Sequence, residues 1–238
     1  VSQRLQKGET VLFTGTPCQV AAVKAYTGDP QNLITMDLVC HGVPATQMLN
    51  EALTLFAKRL GGKLTDFSFR DKSREKRYTS RLTLRKGRRT KTYFVRARYL
   101  SFYHAFLQSD NFRESCYSCS YAGMERVSDI TVGDYWGMEK HHSHQMQDRT
   151  DWSCVLVNTQ KGKAFLEQYG KDLTLVESKP QWVAEENKQL RAPGEKGPHR
   201  ARLLELYKKG GYKAVEKDFI KENGGALRYR LRLYKSFK

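Results

Sequence analysis

The chain of 238 residues has no run of about eighteen apolar residues, which excludes a helix spanning a bilayer. Its first residues lack the charged, apolar and small-residue zones of a secretory signal, so cytoplasmic location is the expectation. No internal repeat or low-complexity tract is visible, which excludes solenoid and linker-like architectures. Acid is scarce, with 25 Asp and Glu against 42 Lys and Arg, for a formal charge of +17. Such an excess draws the protein toward something anionic: nucleic acid, a lipid surface, an acidic protein or an acidic small molecule. Cysteine is scarce too, and the five present are an odd number that an all-disulfide framework would not consume. Without secretion, thiols serve metal or redox chemistry more readily than disulfides.

What is present suffices for a folded core. Hydrophobic residues make up 39% and aromatics 11%, in a length that suits one large domain or two small ones. The chain begins at Val1 and reaches an apolar strand within about ten residues, and is read as a piece of something longer.

"TVLFTG" reads as a buried strand, and Pro17 after Thr16 suits the first turn of a helix, "PCQVAAVKAY". "TGDP" closes that helix and "NLITMDLVC" is a second strand, so the two predict a parallel βαβ pair. Cys18 and Cys40 then fall at the carboxyl ends of their strands, where open α/β sheets place ligands. A helix is expected from about Ala45 to Leu60, stopped by Gly61 and Gly62. Between about 64 and 98 the pattern changes to period two, predicting a small antiparallel sheet with one wet, basic face. "SDITVGDYWG" and "DWSCVLVNT" return to strand, "KGKAFLEQYG" to helix, and the chain from "HRARLLELYKKG" onward is helical. The expected fold is therefore α/β, a parallel or mixed sheet flanked by helices with an inserted antiparallel sheet and a helical C-terminus. The expected division is 1–178 for the α/β domain, with the insertion at 64–98, and 179–238 for the helical segment.

Cys116 and Cys119 form a C-x-x-C pair in a loop rich in small residues, a spacing at which one turn offers two thiolates to one metal centre. A redox dithiol and a purely structural pair are the competing readings. Cys18 and Cys40 bring the set to four, which suits zinc or a 4Fe-4S cluster. Zinc sites of four cysteines usually use two short knuckles and only one exists here, which tilts the reading toward iron and sulfur. Cys154, inside "WSCVLV", is expected in the core. His141, His142 and His144 are expected on a solvated loop, and His41 beside Cys40 is given no ligand role. In "DITVGDYWG", Gly133 lets backbone approach a ligand or another strand, and Asp134 can accept hydrogen bonds in the turn.

Five blocks in order, "VLFTGTPCQVAAVKAY", "NLITMDLVCHGVP", "FRESCYSCSYA", "SDITVGDYWG" and "SCVLVNTQKGKAF", resemble the coenzyme F420 hydrogenase/dehydrogenase beta-subunit family, chiefly its C-terminal part. The likeness runs from about Leu12 to Gly170 and continues faintly through "NKQLRAPGEKGPHRARLLELY". It implies an iron-sulfur flavoprotein oxidoreductase passing electrons between a 4Fe-4S cluster, FAD and a two-electron carrier, in some members coenzyme F420. Carried over residue by residue, it implies Cys18, Cys40, Cys116 and Cys119 as cluster ligands; Gly15, Thr16, Gly133 and Asp134 are expected near a cofactor from the chemistry of their turns. It also implies that FAD is held with a Gly-rich N-terminal portion that this sequence does not contain.

The implied partner is an acidic electron donor such as ferredoxin, steered by the basic run from Arg70 to Arg98, or a partner oxidoreductase subunit. The rival from another class is a zinc-stapled basic module binding nucleic acid through Tyr78, Tyr93 and Phe94 among the arginines, although no nucleic-acid signature accompanies them. At the end of the chain, Leu227, Leu231 and Tyr234 recur at helical spacing among Arg228, Arg230 and Arg232. That pattern suits an anionic membrane surface, the protein's own core or a partner.

Overall fold

The computed structural model describes residues 1–71, 73, 78–146 and 152–236. In chain order the elements are α1 (Ser2–Gln6), β1 (Val11–Thr14), α2 (Pro17–Thr27), β2 (Leu33–Leu38), α3 (Thr46–Arg59), β3 (Lys63–Ser68), β4 (Thr79–Lys86) and β5 (Arg89–Arg96). They continue with α4 (Ser101–Leu107), β6 (Ile130–Asp134), β7 (Ser153–Val157), α5 (Gln160–Tyr169), α6 (Pro180–Glu186), α7 (Arg200–Glu222) and α8 (Gly225–Ser236). Contacts group the chain into two compact units, 1–41 with 118–194 and 42–117 with 195–238. This grouping differs from the segments expected from sequence. Among the described residues no helix is long and apolar enough to cross a membrane.

The first unit is built on a mixed sheet in the order β1-β2-β6-β7, parallel from β1 to β6, with β7 antiparallel at the edge. The β1-α2-β2 crossover follows from local chemistry. Pro17 opens α2 where a missing N–H costs nothing, and Gly28, at φ 74°, ends it in the left-handed conformation. Asp129, fully buried, joins the strands ahead of β6. Its Oδ2 accepts from the Thr35 amide at 2.8 Å and hydroxyl at 2.7 Å, and its Oδ1 from Thr159 at 2.6 Å. α5 packs so closely that a Cβ on Gly162 would stand 2.2 Å from the Asp129 carbonyl oxygen. An apolar cluster of Tyr135, Met138, Cys154, Leu156, Val183, Ala184 and Leu190 joins β7 to α6, which brings α6 into this unit.

The second unit carries the antiparallel sheet β3-β4-β5, its last two strands joined by the two-residue turn Gly87-Arg88 with Gly87 at φ 60°. Leu82, Leu84, Tyr93 and Val95 face inward with Phe56, Phe219, Tyr229 and Leu233 from the helices. The wet face is less basic than the sequence suggests. Arg81 is paired with Asp66 at 2.6 Å and Asp71 at 2.7 Å, while Lys86 and Lys91 lie 5.4 and 5.2 Å from the Tyr93 ring centroid. Tyr93 is therefore a core residue, and Tyr78 packs against the same core, which removes two of the three aromatics from a nucleic-acid stacking surface. Lys72, Arg74, Lys76 and Arg77 of the basic run lie outside the described residues.

α7 is broken at Gly210 and Gly211. Past the break the Tyr212 amide donates to Glu51 Oε2 at 3.0 Å, and buried Glu216 takes Arg59 at 2.6 Å and the Ser101 hydroxyl. α1 and α6 are short helices that the sequence pattern did not announce. Alanine is the better helix former, yet Gly162→Ala is expected to destabilise the protein by about 1–3 kcal/mol, because the methyl has no room against Asp129. Urea denaturation measures it, and an unchanged midpoint would contradict the packing described.

Candidate functional site

The carboxyl ends of β1 and β2 in the first unit carry Cys18 and Cys40, and the same unit holds Cys119. β1 ends at Thr14, and the Gly15 amide extends the ladder by donating to the Met36 carbonyl at 3.1 Å. The Thr16 amide donates to Gln19 Oε1 at 2.9 Å. Both amides of the turn are thus used inside the protein, and the turn delivers a side chain rather than free backbone donors. That side chain is Cys18, exposed in the first turn of α2, where the helix dipole favours negative charge, with Thr16 Oγ1 3.2 Å from its sulfur. Cys40 follows β2 after Val39, whose amide donates to the Val132 carbonyl at 2.9 Å. Cys119 stands in the loop before β6 and accepts at its carbonyl from Ala122.

Arg126 fixes that loop to the sheet. Its Nη2 donates to Asp37 Oδ2 at 2.9 Å and to the Leu38 carbonyl at 3.2 Å. Its Nη1 donates to the carbonyls of Tyr121 at 3.1 Å and Gly123 at 3.3 Å, and its Nε to Thr131 Oγ1 at 3.1 Å. The Arg126 and Asp37 side chains are 2% and 0% exposed. A second tie comes from Gln189. Its carbonyl accepts from the Gly123 amide at 3.0 Å, and its Nε2 lies 3.3 Å from His41 Nδ1. Neighbouring Asn187 donates to the Asp134 carbonyl at 3.1 Å and to that of Val183 at 3.0 Å.

The fourth sulfur belongs to the second unit. Cys116 lies in the 3-10 turn Glu114–Ser118, and the Val43 amide donates to its Sγ at 3.4 Å. The Val43 carbonyl accepts from Arg113 at 2.9 Å, so residue 43 holds this turn from both sides. Gly42, at φ 146°, permits that approach, since a Cβ there would stand 2.4 Å from the Phe112 ring. Buried Arg200 completes the support, donating to the Phe112 carbonyl at 2.8 Å, to Tyr117 Oη at 3.0 Å and to Glu114 Oε2 at 2.8 Å.

None of the five cysteines forms a disulfide. Cys18, Cys40 and Cys119 fall in one unit and Cys116 in the other, and among the described residues no three His, Cys, Asp or Glu side chains are gathered as a metal site. What fits an iron-sulfur group here is therefore the donor chemistry. Cys116 already has the Val43 amide hydrogen within reach of its sulfur, an interaction that stabilises a thiolate ligand, and Cys18 lies in the first turn of α2, where the helix dipole favours negative charge. Cys154 lies in the core, as the sequence predicts, and burial pushes its thiol up to about 11. A Cβ on Gly133 would meet Val39 at 2.8 Å and Cys154 Sγ at 3.3 Å, so this glycine serves the approach of protein to protein.

The histidine expectation needs correction. His142 is buried, with Nε2 3.0 Å from Ser178 Oγ, and His141 stacks on Trp182 at 4.5 Å between centroids and pairs with Glu185 at 2.9 Å. Only His144 of the three is exposed. Arg126, Gln189 and Arg200 were missed altogether. The available signal was Asp37, a lone charge in the apolar run "LITMDLV", because a buried carboxylate in a strand demands a countercharge.

Arg126→Met strands the Asp37 carboxylate, and unfolding free energy should fall by about 3–5 kcal/mol. The double variant Asp37→Leu/Arg126→Met should recover most of that loss in the same denaturation experiment. Iodoacetamide at pH 8 should label exposed Cys18 early and leave Cys154 unmodified until denaturant is added, as mass spectrometry of peptides would read.

No curated protein matches the sequence. The family described as the C terminus of the coenzyme F420 hydrogenase/dehydrogenase beta subunit matches residues 8–181, which take in all four candidate cysteines as well as Asp37 and Arg126. With well over half of its length matched, the chain belongs to this family, the C-terminal part of coenzyme F420 hydrogenase/dehydrogenase beta subunits.

Proposed function

We propose that this chain is the cluster-bearing part of an iron-sulfur flavoprotein oxidoreductase, in which Cys18, Cys40, Cys116 and Cys119 hold a 4Fe-4S cluster and electrons pass to a flavin or deazaflavin carrier. The observation that carries the reading is the Val43 amide aimed at Cys116 Sγ inside a family match that contains all four cysteines. When bound, a cluster of this kind supplies one-electron transfer.

The chain's own contribution is positional. Gly15 and Thr16 form the turn that carries Cys18, and Gly133 and Asp134 form the neighbouring strand end, held by Val39 and Asn187. Arg126 and Gln189 fix the loop after Cys119, and Arg200 fixes the turn around Cys116. The hydrogen bond from the Val43 amide to Cys116 sulfur lowers the cost of concentrated thiolate charge. FAD and, as the two-electron carrier, coenzyme F420 are the flavin-type groups this reading assigns. The net charge of +17 suits an acidic electron donor such as ferredoxin, or an acidic face of a partner oxidoreductase subunit.

Protein purified without oxygen should be brown and contain about four iron and four acid-labile sulfide per chain. Cys18→Ala, Cys40→Ala, Cys116→Ala and Cys119→Ala should each lose more than about half of the iron, whereas Cys154→Ser should keep it. Colourless protein with zinc and no labile sulfide would overturn the proposal. The rate of reduction by ferredoxin should fall steeply with added salt, and a salt-independent rate would remove the acidic donor from the scheme.

A further inference from the structure

α8 has two apolar faces, and among the described residues one of them enters the core. Tyr229 and Leu233, 2% and 1% exposed, enter the core of the second unit. Tyr229 is pinned there, its hydroxyl donating to the Tyr99 carbonyl at 2.5 Å and its ring lying 5.3 Å from the Arg59 guanidinium. At about 100° per residue, Leu227, Leu231 and Tyr234 fall on the opposite side of the helix. They are 73%, 56% and 47% exposed. The stripe cannot turn inward without withdrawing Tyr229 and Leu233, so among the described residues both leucines stay more than half exposed.

The charges around the stripe identify what covers it. The same helical geometry puts Arg230 along one flank and Arg228 along the other, both exposed, and the Arg230 guanidinium lies 5.7 Å over the Tyr234 ring. No acidic residue follows Glu222 in the sequence. An apolar line of two leucines and a tyrosine between arginines, on a helix fixed to a folded body, has the chemistry of an interfacial helix. Its aliphatic side chains reach the acyl boundary, while the arginines extend to anionic headgroups and tyrosine sits at the polar level. Three side chains along about 10 Å of helix are too few for the roughly 800 Å² per partner of a stable protein interface, and suffice for shallow burial assisted by charge.

We propose that α8 seats this protein on an anionic lipid surface, with Leu227, Leu231 and Tyr234 inserted and Arg228 and Arg230 on headgroup phosphates. The surface lies beyond residues 8–181, the span of the family match. None of the readouts below depends on iron, so this inference stands or falls separately from the cluster.

The test is co-sedimentation of the full chain with vesicles of phosphatidylcholine containing about one-third phosphatidylglycerol, against pure phosphatidylcholine. Binding to the anionic vesicles alone, released by salt, is the expected result. Leu227→Ser/Leu231→Ser and Arg228→Glu/Arg230→Glu should each weaken it by at least about tenfold, with circular dichroism unchanged because all four positions are exposed. Three outcomes overturn the proposal. The first is no binding to anionic vesicles at low salt. The second is undiminished binding by the leucine variant, which would assign adsorption to another basic surface. The third is binding to polyglutamate that both variants weaken while vesicle binding is untouched, which would assign α8 to an acidic protein.

Discussion

The pairing of Arg126 with Asp37 governs the sheet end on which the candidate site is built. Two charges taken out of water are costly to bury, and the arrangement persists because every other donor of the guanidinium is also satisfied. One cation thereby fixes two carbonyls of the loop after Cys119, one carbonyl of β2 and one hydroxyl of β6. The loop has no strand or helix of its own, and polar contacts hold it: Arg126, Gln189 and Lys24, whose Nζ donates to the Val127 carbonyl at 3.0 Å. Cys119 inherits its placement from residues that carry no redox chemistry.

The same division of labour holds for Cys116. Its turn is ordered by the backbone of Val43, by the ring of Phe112 lying against Gly42, and by Arg200, which comes from the start of α7 more than eighty residues later in sequence. The cysteines come from short motifs, while the groups that orient them come from distant positions with no motif of their own. A close glycine contact and a buried arginine appear in each unit: Gly133 and Arg126 in the first, Gly42 and Arg200 in the second.

How much of this was legible in the sequence follows from that contrast. The βαβ opening could be read because Pro17 and Gly28 act locally, through a fixed φ and a left-handed cap. The antiparallel sheet could be read because its period of two persists across three strands. The core position of Cys154 could be read because it sits inside the apolar strand "CVLV". His141 and His142 were misread because their environment is made by Trp182, forty residues on, whose ring offers a stacking face that no local pattern announces. Tyr93, which the rival nucleic-acid reading takes as a wet aromatic, is turned inward by the strand alternation, and Lys86 and Lys91 fold over its ring.

The glycine pair that interrupts α7 has an effect beyond its bend. A continuous helix of 23 residues would lock the rotational phase of Leu203 to that of Tyr212, Val215 and Phe219. The non-helical dihedrals at Gly210 and Gly211 reset that phase, so each segment presents its own apolar side to the residues it meets. Sequence drift in one half therefore need not rotate the other, and the strict spacing an unbroken rod imposes on its two ends is relaxed.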